Sequence, residues 1–294
     1  MIKLQTPVDI PESKIKISFD DSILLLGSCF SDNIGLIMKN MGFRACTNPF
    51  GTLYNPVSVR NAVRRLDSAV PFGEDECVQM GAGSQLVCSF SHHTAAARTT
   101  SAEFLVNANE SLAKASAFFR EASTIIITLG TVWTFRFNAT GEIVSNCLKR
   151  DAKEFTRERL SLKTCSVLLN SLVGKYPQKR FIFTVSPIRH LKDGAHGNQI
   201  SKSTLLMAVE SVVENHPDQC AYFPAYEIMM DELRDYRFYA EDMVHPSQQA
   251  VNYIWERFCD FALPETERAT LEKNRKAFLQ SQHRIITKSQ NTDK

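Results

Sequence analysis

Two short segments carry side chains that can do covalent chemistry. The first is Gly27-Ser28-Cys29-Phe30, where a hydroxyl and a thiol stand side by side. It follows the apolar run Ser22–Leu26 directly and precedes a helical stripe of apolar residues. In a tight strand-to-helix turn the glycine permits the bend. The helix N-terminus supplies free N–H groups and a positive dipole end, which lower a thiol pKa and stabilise an oxyanion. The same four residues also fit a plain architectural role, with Ser28 as N-cap and Cys29 as a small buried side chain. The second segment is Asp242-Met-Val-His245-Pro-Ser. A carboxylate three residues before an imidazole can hold Nδ1–H and leave Nε2 free as a base. Pro246 suits a helix start, where its missing N–H costs nothing. Asp242 as a helix cap beside a surface histidine is the competing reading. Together the segments supply a nucleophile, a base and a group that orients the base.

Other polar clusters are less specific. His92-His93 follows a short apolar stretch and offers a pocket donor, a second base or two loop histidines. No local spacing brings together the three or four ligands a metal needs, so no metal site is expected. Arg189-His190-Leu191-Lys192-Asp193-Gly194 follows another apolar run and could hold a phosphate or carboxylate, or close on itself through salt bridges. Asn198 and Lys202 lie next to it, and Glu227 is a possible partner for Arg189 or His190. Trp133 fits either a pocket wall or the core.

These residues must be positioned by the elements around them. Short apolar or β-branched runs at Ser22–Leu26, Phe43–Thr47, Thr124–Leu129, Arg180–Val185 and Cys220–Phe223 read as buried parallel strands. Helical stripes run between them. One is Phe30, Ile34, Ile37, Met38 and Met41; another is Phe155, Leu162, Cys165, Leu169 and Leu172. A third is Leu205, Val209, Val212 and Val213, with Ser201 or Ser203 as N-cap, and a fourth is Val251, Ile254, Trp255 and Phe258. Alternation of this kind predicts right-handed βαβ units in an α/β three-layer sandwich, with ligands bound beyond the carboxyl ends of the strands. Both chemical segments fall at that edge. Val132–Phe137 and Glu142–Cys147, flanking Asn138–Gly141, read as a β-hairpin insertion. Residues 68–100 read as a loop-rich insertion with a short strand at Gln85–Phe90. One domain over 1–264 is expected, with insertions at 68–100 and 131–150. A short C-terminal helix and a flexible tail follow over 265–294, disordered from Lys288.

Composition narrows the classes. The chain has 294 residues, 44% hydrophobic and 22% charged, an ordinary globular balance. Lys and Arg number 34 against 32 acidic residues, which argues against a whole-molecule electrostatic nucleic-acid binder. The eight cysteines form no C-x-x-C pair, which excludes zinc ribbons, dithiol oxidoreductases and iron–sulfur motifs of that spacing. No apolar run is long enough for a signal peptide or a spanning helix, so a cytoplasmic protein without membrane partners and with reduced cysteines is expected. The oligomeric state is open.

The paired segments resemble the SGNH/GDSL hydrolase superfamily, which carries Gly-Asp-Ser after its first strand and Asp-x-x-His near its end. Gly27-Ser28-Cys29-Phe30-Ser31 is closer still to the motif of the GSCFA-domain family. Asn48-Pro-Phe-Gly51, Leu129-Gly-Thr131, Ser186 through Gly194, Gly197-Asn-Gln and Tyr226-Glu through Ser247 agree with it, so the resemblance spans roughly residues 20–260. That family is named for its motif rather than for a reaction. The resemblance implies a flavodoxin-like, mostly parallel central sheet. It also implies that His245 is the base and Asp242 its orienting partner.

Counting from Gly27, the nucleophile position of Gly-Asp-Ser falls on Cys29; a shift of one residue would place it on Ser28. Neighbouring residues at a strand end point in opposite directions, so only one can face the histidine. Gly51 corresponds to the superfamily's second-block glycine, whose backbone N–H donates to the oxyanion. The third-block asparagine has no counterpart in Gly130-Thr131-Val132-Trp133, leaving Thr131, Asn48, His92 and His93 as candidate donors. The expected activity is acyl transfer, as an esterase or acyltransferase, on a small-molecule or carbohydrate acyl substrate. No cofactor is required. Coenzyme A or another thioester is a possible acyl donor, which the basic cluster at Arg189 would help to hold. The rival expectation is a binding module on a decayed hydrolase scaffold.

Overall fold

The computed structural model describes residues 6–289, and side chains as far as residue 282. In chain order the first half comprises β1 (Ser22–Gly27), α1 (Cys29–Asn40), β2 (Arg44–Thr47), α2 (Pro56–Ser68), β3 (Val78–Gln79), β4 (Val87–Cys88), α3 (Ser101–Glu121) and β5 (Thr124–Leu129). Then come β6 (Trp133–Phe137), β7 (Ile143–Val144), β8 (Phe155–Arg159), α4 (Leu162–Lys175), β9 (Arg180–Val185) and α5 (Gly194–Asn215). The chain closes with β10 (Cys220–Tyr222), α6 (Ala225–Glu227), α7 (Gln248–Ala262) and α8 (Glu265–Ser289).

Five strands form one parallel sheet in the order β10-β9-β5-β1-β2. Counted among themselves the order is 2-1-3-4-5, the flavodoxin-like arrangement, whose switch point lies between β1 and β5. Side chains alternate across the sheet. Leu24, Leu26, Ile125, Ile127, Phe181 and Phe183 face α2, α3, α4 and α5. Ile23, Leu25, Ile126 and Ile182 face the opposite layer of α1 and α7. The three layers follow from this two-sided burial, because neither face of the sheet can be left in water.

The switch point is drawn tight. Gly27 pairs with Thr128 across β1 and β5, and its φ of +138° lies outside the range comfortable for side chains. A Cβ there would meet the Thr128 carbonyl oxygen at 2.1 Å. Ser28 N–H donates to that same carbonyl at 3.1 Å, so the turn is fastened as soon as β1 ends.

Several boundaries differ from the sequence expectation. Phe155 belongs to β8 rather than to the following helix, and Ser161 caps α4 by accepting from Thr164 N–H. α5 begins at Gly194, so Ser201 is an interior helical residue and not a cap. Its Oγ is buried against Thr131 Oγ1 at 3.1 Å and accepts from Val132 N–H at 3.0 Å. The hairpin at 131–150 is part of a three-stranded antiparallel sheet, because β6 pairs with β8 over five residues and with β7 over only two. α8 is 25 residues long rather than short. The disorder expected from Lys288 onward falls outside the described residues beyond Ser289. Among the described residues no helix is long and apolar enough to cross a membrane, and all eight cysteines are free thiols.

Candidate active site

The site is built on the turn between β1 and α1. Ser28 caps α1, its Oγ accepting from Phe30 N–H at 3.3 Å and donating to Ser186 Oγ at 3.0 Å. It is 1% exposed. Cys29, one residue on, is half-buried at the first position of α1, and among the described residues its N–H donates to no carbonyl or side-chain oxygen. The two neighbours therefore point apart: the serine inward to the end of β9, the cysteine outward at the helix N-terminus.

Burial pushes the Cys29 thiol up, and the charges of Asp32 and, more weakly, Asp242 push the same way. Its own N–H and that of Phe30 act in the opposite sense. Asp32 is raised by burial and is held by Asn48, whose Nδ2 donates to Asp32 Oδ1 at 2.7 Å. Tyr54 adds an aromatic hydroxyl within electrostatic reach of both Cys29 and Asp32, with Thr52 Oγ1 donating to it at 3.1 Å.

The Asp242–His245 pair sits in the loop before α7. His245 Nδ1 lies 2.5 Å from Asp242 Oδ2, and the N–H groups of His245 and Val244 both donate to Asp242 Oδ1 at 2.9 Å. These bonds, the backbone donation from His245 foremost, hold the Asp242 carboxyl down at about 2. An ionised Asp242 keeps the proton on Nδ1 and leaves Nε2, which makes no hydrogen bond among the described residues, as the basic nitrogen. The loop is tied to the β9–α5 loop by Arg189, whose guanidinium stacks 4.5 Å from the Tyr239 ring centre and donates to the Met243 carbonyl. The charge of Asp242 acts weakly on Cys29, and His190 on the β9–α5 loop lies within electrostatic reach of His245.

The other expected site residues divide clearly. Gly51 is near, but its N–H is engaged by the Asn48 carbonyl at 2.7 Å and is not a free oxyanion donor. Its φ is +85°, and a Cβ would meet His93 Cβ at 2.2 Å, so the glycine serves close packing. Asn48 is occupied at both ends of its amide, with Oδ1 accepting from Gly27 N–H at 2.8 Å. It buttresses the turn instead of facing it. Thr131 is engaged by Ser201, and its N–H, like that of Gly130, donates to the Tyr54 carbonyl. His92 is 2% exposed in a box of Phe50, Phe72 and Phe104, with Ser89 Oγ 2.7 Å from Nδ1, and burial pushes it down to about 4. It is a core residue, not a pocket donor. His93 stays beside Gly51 and within reach of Asp32.

Within the basic cluster, Arg189 is committed to Met243 and Tyr239. Asp193 instead pairs with Arg157, which stacks 3.9 Å over Trp133 and so joins the antiparallel sheet to the edge of the site. Glu227 pairs with neither Arg189 nor His190; it takes the Tyr222 hydroxyl at 2.7 Å. His190 lies at the site with Nε2 buried and unpartnered, and burial holds it down at about 4, so the ring is neutral.

Tyr54 lacks a clear sequence signal as a site residue, while Ser186 and Lys202 stand in the sequence only as the start of a family block and as a neighbour of the basic cluster. Asp32 had one, since it stands three residues after Cys29 on the first turn of α1 and so shares its helix face.

No curated protein matches the chain. Solved structures that superpose on it include LAE5, an α/β hydrolase from the metagenome of Lake Arreo, at 10% identity and TM-score 0.46, covering 83% of this chain and 95% of that one. The acetyl xylan esterase Est2A of Butyrivibrio proteoclasticus aligns at 10% identity and TM-score 0.42, over 83% of this chain and 64% of that one. A catalytic mutant of the acetylxylan esterase Axe2 of Geobacillus stearothermophilus aligns at 11% identity and TM-score 0.39, over 85% and 98%. At such scores these likenesses carry no information on reaction or substrate. The GSCFA family, in contrast, is matched continuously over residues 22–258, from the first residue of β1 to within α7. On that match the chain belongs to the GSCFA family.

Proposed function

We propose that the protein is an acyl-transfer enzyme acting on an ester or thioester, with Cys29 as nucleophile, His245 as base and Asp242 as the group that orients it. The observation that carries this reading is the divergence at the turn. Ser28 is closed off by Ser186, while Cys29 sits half-buried at a helix N-terminus, and among the described residues its N–H donates to no carbonyl or side-chain oxygen. Cys29 Sγ attacks the acyl carbonyl as its proton passes to His245 Nε2. The carbonyl π pair becomes an oxyanion facing the Cys29 N–H. Collapse expels the alcohol or thiol, which takes the proton from His245, and leaves a thioester on Cys29. Water, deprotonated by His245, or an acceptor alcohol then releases the acyl group.

His190 Nε2 supports the reading as a second oxyanion donor in place of the absent asparagine, since its ring is neutral and its nitrogen unpartnered. Trp133, backed by Arg157, offers an aromatic face suited to a carbohydrate acyl substrate. A thioester such as acyl-coenzyme A is chemically matched to a thiol nucleophile, without help from Arg189.

Ester hydrolysis by Cys29→Ala and Ser28→Ala, with acetyl and longer acyl esters, tests the assignment. Loss of at least 100-fold in kcat for Cys29→Ala, with a smaller effect for Ser28→Ala, is expected. Turnover that survives both changes overturns it, and saturable binding of acylated sugars without turnover would leave a binding module in its place.

A further inference from the structure

The β3–β4 pair and the β6–β7 hairpin pack beside α2 and enclose with it a cleft of about 640 Å³, a volume within the usual range of ligand sites. No residue of the nucleophile turn or of the Asp242–His245 loop lines it. Its walls are fixed by their own contacts. Arg65 of α2 donates to the carbonyls of Val70 and Pro71 at 2.9 and 3.3 Å, pairs with Glu76 and stacks 4.3 Å from the Phe72 ring centre. On the opposite side Ser145 N–H, just after β7, donates to the Phe90 carbonyl at 2.9 Å. The ring centres of Phe90 and Phe137 lie 4.8 Å apart on that wall.

Three basic and four acidic side chains line the cleft, and most of them neutralise one another. Arg65 is paired with Glu76, and Lys175 with Asp67 at 2.6 Å. Arg64, Asp75 and Glu142 remain, so an anion meets no surplus of positive charge there. A cation meets a guanidinium and an ammonium in the same walls. An apolar ligand would strip water from those ion pairs and from the hydroxyls and amide of Ser58, Asn61, Ser68, Ser91, Thr140 and Ser145. Ser58 is the telling member. It is 2% exposed, and its Oγ makes no hydrogen bond among the described residues, although a buried hydroxyl normally has a partner. Groups that both donate and accept, set beside the partly exposed rings of Phe90 and Phe137, match a sugar: its hydroxyls do both, and its C–H faces pack on aromatic carbon. We propose that this cleft is a second ligand site, separate from the one at Cys29, that takes a neutral sugar unit. The inference goes beyond the acyl-transfer reading and does not depend on it.

The test is saturation-transfer NMR and calorimetric titration of the full chain with glucose, N-acetylglucosamine and cellobiose at millimolar concentration, and with inorganic phosphate as the anionic comparison. At least one sugar is expected to bind saturably, and phosphate is not. Asn61 is exposed on α2 and lines the cleft, so Asn61→Trp fills the space at little cost to the fold. Phe137→Ala removes one of the two rings. Each change should weaken sugar binding by about tenfold or more, while iodoacetamide alkylation of Cys29 keeps its wild-type rate. Thermal unfolding shows whether the variants are folded; if Phe137→Ala is not, Asn61→Trp alone decides. No saturable binding of any of the three sugars overturns the proposal. Binding that the folded variants retain in full also overturns it, since the sugar then sits elsewhere, and so does binding of phosphate in place of the sugars. Ester turnover indifferent to Cys29→Ala would refute the acyl reading and leave this site standing.

Discussion

Ser28 and Cys29 share a turn but not an environment, and the difference is the chemistry of the site at its smallest scale. The sequence narrows the proposed nucleophile to these two residues, since a turn after a buried strand and before a helix is visible in the apolar pattern. It does not choose between them, because the choice depends on Ser186, which is 158 positions away from Ser28. The same limit explains why Gly51, Asn48 and Thr131 were expected as donors. Their location is legible, but which hydrogen bonds already occupy them is not.

Two predictions belong to this scale. Asp242→Asn should leave the fold intact and lower turnover at least 100-fold, because an amide no longer selects the Nδ1–H tautomer; unchanged pH–rate profiles and kcat would contradict the assigned role. The wild-type Asp242 carboxyl is depressed, so the stability it adds is present above the ordinary carboxyl pKa and is lost only as pH falls towards about 2. His92 acts in the same direction of pH, over a higher window. Its folded value of about 4 lies below the unfolded 6.5, so the unfolded chain binds the extra proton and stability declines as pH falls from about 6.5 towards 4. Denaturant titrations at pH 7 and 4.5 should differ by up to about 3 kcal/mol from this group, and His92→Gln should remove that part.

At the scale of elements, the five parallel strands are legible almost to the residue, and for β1, β5 and β9 the reason is that a strand buried on both faces reads as a largely apolar run. The helices over 56–68 and 101–121 were not assigned. In α3 the core stripe is Phe104, Ala108, Leu112, Ala115 and Phe119, where alanines dilute a regular helical period. Phe155, in β8, reads in sequence as part of a helical stripe because the polar run Thr156–Arg159 hides the alternation of a strand. The element that matters most is the β1–α1 turn. Gly27→Ala forces a Cβ against the Thr128 carbonyl and an unfavourable φ, and should cost more than about 2 kcal/mol in thermal or urea unfolding. Any folded remnant should have slower Cys29 alkylation, because the helix N-terminus is displaced. A neutral effect would mean that the turn is not as tight as described.

At the scale of the whole molecule, the proposed site draws on residues spread from Gly27 to His245, which explains why a single-segment motif cannot define it. α8 continues the same body. Leu271 is 8% exposed and Asn274 Nδ2 donates to the Met41 carbonyl at 2.8 Å, so the helix closes the layer of α1 and α7. Leu271→Ala should therefore destabilise the protein by about 2–3 kcal/mol, whereas Leu279→Ala, 51% exposed on the same helix, should change it by less than about 0.5 kcal/mol. Equal effects would show that α8 is not docked in this way.

The account as a whole turns on where an acyl group is held during turnover. Rapid acid quenching of the protein with an activated acetyl ester, followed by peptide mass spectrometry, locates that group. The account predicts an acetyl thioester on Cys29, formed in Ser28→Ala, absent in Cys29→Ala and accumulating when His245→Ala slows its release. An acetyl group on Ser28, or steady turnover with no adduct on the Gly27–Phe30 turn, would contradict it.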